Sequence, residues 1–526
     1  MRRRRLLTSV LAGTAALAAP RVVRAGSANI LKFIPQSDLA TLDPMFTTAS
    51  VTRCHAHLVF DTLYGMDNDY AANPQMVAGH VISQDGLQWD LTLREGLRFH
   101  DGSPVLARDA VASIQRWWQR DAFGAVLAAR TNELSAPSDS TIRFRLRKPF
   151  ALLPDALAVI ISVPVIMPEH LARTDPFKQV TEMIGSGPFR FKTDERVPGS
   201  RVVYEKFSAY IPRADGKPEF ASGPKIVHFD RVEWTVVPDP ATAAGALASG
   251  EFDWWENPAL DLVPQLKRTP NLTVAVKDKS GANGIIRFNQ LFPPFDNPAI
   301  RRLVVSAVNQ HEFMAAAAGG VPDLIRDRVG IFVPDTAMAS EAGLENLGSV
   351  SDPSTLRNDL AAAGYNGETI VIPAAADSPT LYALAQVGSD LLKRMGFNID
   401  LQSLDWGTVQ QRRASREPIG KGGWNIFFTF QTSTQNVTPA AATALRADGK
   451  GWYGWPVDPE MEALREAWFD APNLAARQRI SRDIQIQFFH NPSFAPLGLY
   501  FQPTAFQSSL RDIREGLPQF YGVRRT

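Results

Sequence analysis

The sequence has little of what several classes of protein depend on. Its 526 residues include a single cysteine, Cys54, so no disulfide can form within the chain. Charged residues make up 21% and hydrophobic residues 45%, a balance that excludes intrinsic disorder, collagen-like repeats and a coiled coil. The length corresponds to roughly three domain-sized units. A chain this long buries a large core and folds without disulfides.

The common signatures of enzymes are also missing. The sequence has no glycine-rich phosphate loop, no GxSxG elbow and no HExxH motif, which argues against nucleotide, serine-hydrolase and zinc-protease chemistry. Ser222-Gly-Pro-Lys225 has the spacing of acyl-serine enzymes but lacks their companion motifs, so we interpret it as a coincidence. A secreted hydrolase of peptides or glycans stays an alternative, because a pair of carboxylates leaves no local signature.

The N-terminus has the three-part layout of an export signal. Four arginines, Arg2–Arg5, precede an apolar run at Leu6–Ala19, and Ala25 provides a small residue at the end of the segment. The run is too short to cross about 30 Å of hydrocarbon as a helix. Its arginines and leucines also fit a twin-arginine signal, and the sequence does not decide between that route and Sec. We therefore predict a periplasmic protein whose signal is cleaved after about Ala25.

The mature chain carries a small negative charge. Removing residues 1–25 removes six arginines and no acids, which leaves 49 basic against 54 acidic residues and a net charge of −5. A mildly acidic protein does not bind nucleic acid through bulk charge. The apolar run Ala151–Met167 contains Asp155 and two prolines, so we predict buried core there and no direct membrane insertion.

Strand-like and helix-like patterns alternate along the rest of the chain. Alternating apolar residues over Leu87–Leu93 predict a half-buried strand. Ser103-Pro104 and Asn297-Pro298 each predict the start of a helix. Further strands are predicted around Ile142–Leu146 and at Val232–Val237, Leu272–Val276, Thr369–Ile372, Ile399–Leu404 and Trp424–Phe430. This alternation indicates an α/β protein with mixed sheets.

Several motifs, in a fixed order, resemble one protein family. The most specific is Asp85–Pro104, which ends in LREGLRFHDGSP. Around it lie Thr41–Pro44, Val59–Gly65, Asn73-Pro74, Gly185–Phe189, Ala246–Asp253, Pro294–Arg301 and Ala362–Tyr365. From about residue 30 to the C-terminus these motifs resemble the peptide-type (family 5) extracellular solute-binding proteins of ABC importers, such as dipeptide- and oligopeptide-binding proteins.

The resemblance implies an α/β, two-lobed periplasmic-binding-protein fold of type II (a Venus flytrap), with an extra subdomain inserted in lobe one. Lobe one would combine residues 26–57, 196–278 and 495–526, the subdomain would span 58–195, and lobe two 279–494. Chain crossings at 275–283 and 490–497 would form the hinge. Closure around a solute would create the shape that the permease recognises.

The function implied by the resemblance is that of a receptor rather than an enzyme. The protein would capture a small molecule or short peptide, peptide-like or opine-like, between its lobes and deliver it to the permease subunits of an ABC importer. We expect a monomer without a catalytic residue, metal or cofactor. By position, the candidate ligand-binding residues are Thr47, Thr48, Ser50, Trp255, Asn289, Trp406, Trp424, Thr429 and Gln431.

One departure from the family bears on the solute. Peptide-binding relatives present an acid for the ligand ammonium from the segment that matches Trp424–Gln431. Here residues 418–447 contain no Asp or Glu. Because an ammonium buried without a carboxylate is costly, this disfavours a dipeptide with a free amine and favours a blocked, acidic, opine-like or sugar-like solute. Glu256, approaching from the other lobe, is the alternative partner for an ammonium.

Two groups of residues suggest chemistry but have structural explanations. Cys54, His55 and His57 form the only cluster with soft metal-ligand character, although a closed zinc site needs four ligands. We predict partly buried helix residues there, with a metal or haem receptor on the same fold as the alternative. We expect His100, in the Phe-His-Asp-Gly motif, to tie a strand end to a helix start through hydrogen bonds.

Overall fold

The structure of the chain is a computed structural model, which describes residues 29–526 except for the side chain of Ser433. The predicted export signal, residues 1–25, lies outside the described residues.

Twenty-three strands are distributed along the described residues. They are β1 (Ile30–Ile34), β2 (Asp61–Thr62), β3 (Tyr64–Met66), β4 (Ala72–Pro74), β5 (Val77–Ile82), β6 (Gln88–Leu93), β7 (Thr131–Ser135), β8 (Thr141–Leu146), β9 (Val165–Ile166), β10 (Phe189–Phe191), β11 (Arg201–Lys206), β12 (Arg231–Thr235), β13 (Trp254–Trp255), β14 (Leu272–Ala275), β15 (Ala282–Phe288), β16 (Ile325–Arg326), β17 (Thr369–Ala375), β18 (Asn398–Leu404), β19 (Ile426–Thr432), β20 (Phe494–Tyr500), β21 (Thr504–Gln507), β22 (Leu510–Arg511) and β23 (Arg524–Arg525).

Fourteen α-helices lie between them in the described part of the chain. They are α1 (Ser50–Val59), α2 (Ala107–Trp117), α3 (Ala122–Arg130), α4 (Leu153–Ala156), α5 (Glu169–Ala172), α6 (Pro240–Ala248), α7 (Val263–Arg268), α8 (Pro298–Ala307), α9 (Gln310–Ala317), α10 (Arg357–Ala362), α11 (Pro379–Met395), α12 (Trp406–Arg412), α13 (Pro459–Asp470) and α14 (Leu474–His490).

The first lobe is built on a seven-stranded mixed sheet in the order β10-β11-β12-β1-β13-β21-β14. The N-terminal strand β1 runs parallel to β12 and β13, and β21, from near the C-terminus, pairs antiparallel with β13 and β14. Phe33 packs against Trp254 and Phe520 with ring centroids 5.2 and 4.9 Å apart. Distant parts of the sequence therefore share one sheet and one aromatic core.

The second lobe is built on the antiparallel sheet β16-β20-β15-β19. The parallel pair β17-β18 joins its edge through Asn425, whose backbone N–H donates to Val371 O (3.0 Å) and whose Oδ1 accepts from Val371 N–H (2.8 Å). Helices α9 and α11 pack on these strands. The chain passes between the two lobe sheets at residues 276–281, after β14, and at 501–503, after β20. The second crossing thus lies beyond the expected 490–497.

A separate four-stranded antiparallel sheet, β5-β6-β8-β7, forms the subdomain with α2 against it. The predicted alternation is confirmed there, because Trp89, Leu91 and Leu93 of β6 are buried and their intervening residues are not. β10 lies within the segment expected for the subdomain but pairs with β11 of the first lobe. The residue boundaries of the lobes and the subdomain stay a prediction.

Of the two predicted helix starts, one is confirmed and one is wrong. α8 begins at Pro298, and Asn297 Oδ1 accepts from Ala299 N–H (2.9 Å). The helix expected from Ser103 begins instead at Ala107, because Ser103 donates to Asp101 Oδ1 from its backbone N–H (2.9 Å) and its hydroxyl (2.6 Å). The Asp109 carboxylate provides the N-terminal cap by accepting from Leu106 N–H (2.8 Å).

The apolar segment at residues 151–167 is core, as predicted. It contains α4 and β9, and Leu153, Ala156, Val163 and Val165 are buried. Within residues 29–526, none of the helices combines the length and the apolar character needed to cross a bilayer.

A fully buried ion pair joins the Leu-Asp-Pro motif to the subdomain. Asp43 Oδ2 accepts from Arg116 Nη2 of α2 (2.6 Å) and from Val180 N–H (2.9 Å). Arg116 also donates to the carbonyls of Thr174 (2.6 Å), Asp175 (2.9 Å) and Lys178 (2.8 Å). The pair therefore fixes the start of the segment Met45–Ser50 against the subdomain.

We predict that Arg116→Ala lowers the free energy of unfolding by about 3–5 kcal/mol, because it leaves the Asp43 carboxylate buried without its partner. Arg173→Ala is the control, since Arg173 is exposed and pairs with Glu169 on one helical turn; exposed pairs contribute about 0–1 kcal/mol. Urea unfolding followed by circular dichroism measures both. Equal losses for the two variants would contradict a structural role for the buried pair.

The Phe-His-Asp-Gly motif connects segments of the chain through hydrogen bonds of His100, as expected from the sequence. His100 Nε2 donates to Gly187 O (3.0 Å), and Nδ1 accepts from Gly185 N–H (3.4 Å). Both glycines lie so close to α1 that a Cβ at Gly187 would be 2.6 Å from Leu58 O. Burial lowers the pKa of His100 to about 4, so the imidazole is neutral in the folded protein at pH 7.

This histidine predicts a loss of stability in acid. Below a pH of about 6.5 His100 is protonated in the unfolded chain, whereas in the folded chain it is protonated only below about pH 4. The free energy of unfolding therefore decreases as the pH falls from about 6.5 to about 4. His100→Gln should remove a slope of up to about 1.4 kcal/mol per pH unit. Urea unfolding at pH 7, 6 and 5 measures it, with exposed His228→Gln as the control. Parallel pH profiles for wild type and His100→Gln would contradict the assignment.

Candidate binding cleft

Three cavities open between the lobes. Their volumes are about 670, 280 and 230 Å³. Thr434, in the loop after β19, lines all three. The first lobe, the subdomain and the second lobe therefore meet around one residue, and we call the three cavities together the cleft.

The largest cavity is lined by all three parts of the protein. The first lobe provides residues 45–48 from the segment that Asp43 positions, and the subdomain provides residues 119–125 and 159–162. The second lobe provides Thr434, Gln435, Val437, Thr438, Ala440, Ala441, Thr443, Arg446, Gly451, Trp452 and Trp468. A cavity of this size, with apolar walls and a few hydroxyl and amide groups, is typical of a small-molecule site.

Three charged groups in the walls of the largest cavity, Arg120, Asp121 and Arg446, already have protein partners, whereas burial raises the pKa of Asp155, which lines the same cavity. Asp121 caps α3 by accepting from Gly124 N–H (2.8 Å), and burial raises its pKa to about 6. The Arg120 guanidinium lies 5.0 Å from the Phe46 ring centroid and donates to Phe46 O (3.1 Å). Arg446 pairs with Asp448 at 2.9 Å. The remaining contacts in this cavity come from neutral groups and from the Asp155 carboxylate.

The 280 Å³ cavity contains more charge. Arg53 of α1, Glu256 after β13, and Lys277 and Asp278 at the first crossing all line it. Glu256 Oε2 accepts from Gln36 N–H (2.7 Å), and burial raises the Glu256 pKa to about 7. Burial also raises the pKa of Asp278, although Ser280 donates to that carboxylate. Its aromatic walls include Trp254, Phe430 and Tyr500.

Three predicted site residues line the cleft. Thr47 and Thr48 lie in the wall of the largest cavity, and Ser50 lies in the wall of the 280 Å³ cavity. They belong to the polar segment after the Asp-Pro motif. Sequence position alone therefore selected a segment that faces the cleft.

Thr429 and Gln431 lie on the right strand but face away from the cleft. Successive side chains of a strand point to opposite faces, and here Phe430 and Thr432 of β19 line the 280 Å³ cavity. Thr429 is buried and donates to Phe430 O (3.3 Å), while Gln431 Oε1 accepts from Asn436 Nδ2 (3.4 Å). The strand was identified from sequence, whereas the face was not.

The other four predicted residues lie outside the three cavities. Trp255 packs in a cluster behind the first-lobe sheet with Leu247 and Leu266. Trp424 is fully buried beside Phe427 and Trp455, and its carbonyl accepts from Asn289 Nδ2 (2.8 Å). Trp406 is half-buried at the start of α12, with the Arg413 guanidinium 5.2 Å from its ring centroid.

Residues missed by sequence reasoning include Arg53, Thr434, Phe430 and Tyr500. For Arg53 a signal was present, because Ser50 and Arg53 are three apart on a helix and therefore share a face. Thr434 follows a strand in a loop of no recognisable pattern, and Tyr500 belongs to a strand that only the paired sheet reveals.

Of the three candidate metal residues, His55 has other partners, whereas Cys54 is a buried free thiol and the buried Nε2 of His57 has no hydrogen-bond partner within residues 29–526. His55 Nδ1 lies 2.9 Å from Tyr204 OH, and Nε2 lies 3.4 Å from Met183 Sδ. Burial lowers the pKa of both His55 and His57 to about 3. Across residues 29–526, no three His, Cys, Asp or Glu side chains come together to hold a metal ion. Lys225, from the Ser-x-x-Lys coincidence, pairs with Asp61 at 2.7 Å.

An ion-pair cluster closes the outer side of the cleft. Arg130 of α3 contacts Glu466 (2.5 Å) and Asp470 (3.1 Å) of α13, and Lys148 contacts the same two acids at 3.2 and 2.7 Å. We call these four residues the outer cluster. Beneath it, the Phe123 and Phe469 rings lie 5.7 Å apart. The outer cluster therefore joins the subdomain to the second lobe beside the largest cavity, whose walls include Phe123.

We predict that the double variant Glu466→Gln, Asp470→Asn shifts the protein toward an open form. Partly exposed pairs contribute about 0–1 kcal/mol each, and about 1 kcal/mol changes a two-state ratio roughly fivefold. Small-angle scattering should show a larger radius of gyration for the double variant at 0.15 M salt. Exposed Glu460→Gln, on the same helix, is the control. An unchanged radius in the double variant would contradict the closing role.

Comparisons with known proteins match most of the chain. A sequence model of bacterial extracellular solute-binding proteins, family 5 Middle, matches residues 71–448. The chain is 34% identical over 530 residues to the probable peptide ABC transporter periplasmic-binding protein y4tO of Sinorhizobium fredii, covering 99% of both chains. It is 25% identical over 458 residues to the glutathione-binding protein GsiB of Salmonella typhimurium, covering 86% of this chain and 81% of the relative.

Solved structures show the same fold. AgaA from A. tumefaciens R10, in complex with agropinic acid, aligns with a TM-score of 0.75 at 19% identity, covering 94% of this chain and 99% of that one. A dipeptide-binding protein from Pseudoalteromonas sp. SM9913, in complex with Met-Leu, aligns with a TM-score of 0.76 at 19% identity, covering 94% and 100%. The predicted α/β fold of the two-lobed periplasmic binding proteins is therefore confirmed.

Proposed function

The chain belongs to family 5 of the bacterial extracellular solute-binding proteins, and from that premise we propose that it captures a small peptide-like or opine-like solute in its cleft for an ABC importer. The family is one of solute-binding proteins rather than enzymes. The observation that carries the proposal is the 670 Å³ cavity between the lobes, whose walls come from both lobes and the subdomain. A solute held there touches every part that moves on closure.

Closure of the two lobes is what signals to the permease that a solute has been captured. A solute that contacts both lobes binds the closed form better than the open form, and it shifts the equilibrium only by that difference in affinity. The outer cluster favours the closed form without touching the solute. The permease subunits then distinguish the closed, loaded receptor from the open, empty one. The hinge lies at residues 276–281 and 501–503, where the chain crosses between the lobe sheets.

The class of solute follows from the second-lobe side of the cleft. Residues 434–446, which line the largest cavity, belong to the segment without Asp or Glu. A free ammonium in this part of the cleft finds no carboxylate on the second lobe. We therefore propose a solute whose amine is blocked or absent. The ligands of the proteins above include agropinic acid and Met-Leu, and the acid-free segment favours the first kind.

The remaining features of the proposal follow from the sequence. The basic and apolar N-terminus directs the chain to the periplasm, with cleavage after about Ala25, and the mature receptor acts as a monomer. Its partners are the solute and the permease subunits of the importer. Thr47, Thr48 and Ser50 provide hydroxyl contacts to the solute.

We predict that Thr434→Trp abolishes solute capture while the protein stays folded, because an indole at residue 434 fills the junction of the three cavities. Native mass spectrometry of periplasmic protein should show a bound small molecule in wild type, and none in the variant. Thr193→Trp, at an exposed position of the first lobe, is the control. Retention of the solute by Thr434→Trp would contradict the proposed cleft, and release of a peptide with a free amine would contradict the solute class.

A further inference from the structure

Arg53 differs from the other buried arginines in how few partners it has. Its side chain lies in the wall of the 280 Å³ cavity and is only 5% exposed. Nη2 donates to Ser50 Oγ (2.7 Å), whereas the buried Nε has no hydrogen-bond partner within residues 29–526. By contrast, the guanidinium of buried Arg301 donates to three backbone carbonyls and to Asn491 Oδ1.

No carboxylate neutralises this guanidinium directly. Among the described residues, no Asp or Glu oxygen lies within 4.0 Å of the Arg53 nitrogens. Glu256 and Asp278 line the same cavity, but Gln36 N–H donates to the first carboxylate (2.7 Å), and Ser280 donates to the second from its N–H (3.0 Å) and hydroxyl (2.5 Å). A buried charge without a direct partner is costly, and an anion from solution removes that cost.

The surroundings of Arg53 fit a carboxylate attached to a larger solute. The cavity has a volume of about 280 Å³. Ser50, Thr432 and Thr504 line it beside the aromatic walls. Thr434 also lines the largest cavity, so a solute that begins at Arg53 extends past Thr434.

We propose that Arg53 is the anchor for a carboxylate of the solute, and that the 280 Å³ cavity is the subsite that selects acidic solutes. This proposal rests on the proposed function. The planar fork of a guanidinium binds a carboxylate through two parallel hydrogen bonds, and Arg53 has Nε free for one of them. Glu256 and Asp278 line the same cavity, so the subsite suits one carboxylate better than two.

The test uses four probes that share one skeleton: alanylalanine, its N-acetyl derivative, its C-terminal amide, and the derivative with both ends blocked. Isothermal titration of wild type should show binding of the two probes with a free carboxylate, and the N-acetyl derivative, whose amine is blocked, should bind more tightly than alanylalanine. Arg53→Gln should weaken those two at least tenfold and leave the two amides unchanged. The affinity of Arg53→Lys for the carboxylate probes should lie between those of wild type and Arg53→Gln, because lysine keeps the charge but not the planar fork.

Matched controls separate binding from folding. Arg196 also lies in the first lobe, and its Nε also lacks a hydrogen-bond partner within the described residues, but it lines none of the three cavities. Arg196→Gln should bind every probe as wild type does. Thermal melting of each variant without probe shows whether it is folded. If Arg53→Gln is not folded, wild type is compared with Arg53→Lys instead.

The outcomes distinguish this proposal from the function on which it rests. The Arg53 anchor is overturned if the carboxylate probes bind wild type and Arg53→Gln with equal affinity, or if they bind neither protein. Preference of wild type for the probe with only a free amine also overturns it, in favour of Glu256 or Asp278 as an ammonium site. Probes that bind Thr434→Trp as tightly as wild type count against the cleft and therefore against the proposed function.

Discussion

The buried pair between Asp43 and Arg116 sets the geometry on which the cleft depends. Asp43 belongs to the first lobe and Arg116 to the subdomain, and neither side chain has a measurable exposure above 1%. The pair therefore orients one part of the protein on another without help from solvent. The four residues after Pro44 leave this anchor and line the largest cavity, and α1 follows with Ser50 and Arg53 facing the 280 Å³ cavity. A charge pair outside the three cavities thus positions the segment that lines them.

The two kinds of charge in the protein have different roles. Buried pairs such as Asp43–Arg116 and Asp61–Lys225 are complete, so they fix the lobes and the subdomain internally. The outer cluster is partly exposed and lies between parts that separate on opening, so its contribution is small and screened by salt. Arg53 is neither, because it is buried and has no carboxylate partner. The buried pairs thus hold together the parts that must not move, and the unpaired Arg53 guanidinium lies where we propose that a solute carboxylate binds.

Local pattern predicted the elements well and the site only in part. Alternation located β6 and β8, and Asn297 located the start of α8, because each depends on neighbouring residues. The start of α2 was misplaced because Asp101 competes for Ser103, a contact that spacing does not reveal. Thr429 and Gln431 were assigned to the cleft face although Phe430 and Thr432 occupy it, since a pattern of buried residues on both faces gives no orientation. Trp255 and Trp424 were predicted to line the site but lie in the core, and the sequence could not distinguish the two, because a large aromatic side chain suits a core as well as a binding site.

The seven-stranded sheet combines strands from both ends of the chain, so it cannot be completed until the C-terminal strand has been synthesised. β1 is complete within the first few dozen residues, whereas β21, which lies between β13 and β14, consists of Thr504–Gln507. Until those residues leave the ribosome, β14 has no neighbour and the first lobe cannot close its sheet. Contacts so distant in sequence form slowly. The first lobe therefore completes its sheet, and with it one wall of the cleft, only after the C-terminal strand has been synthesised.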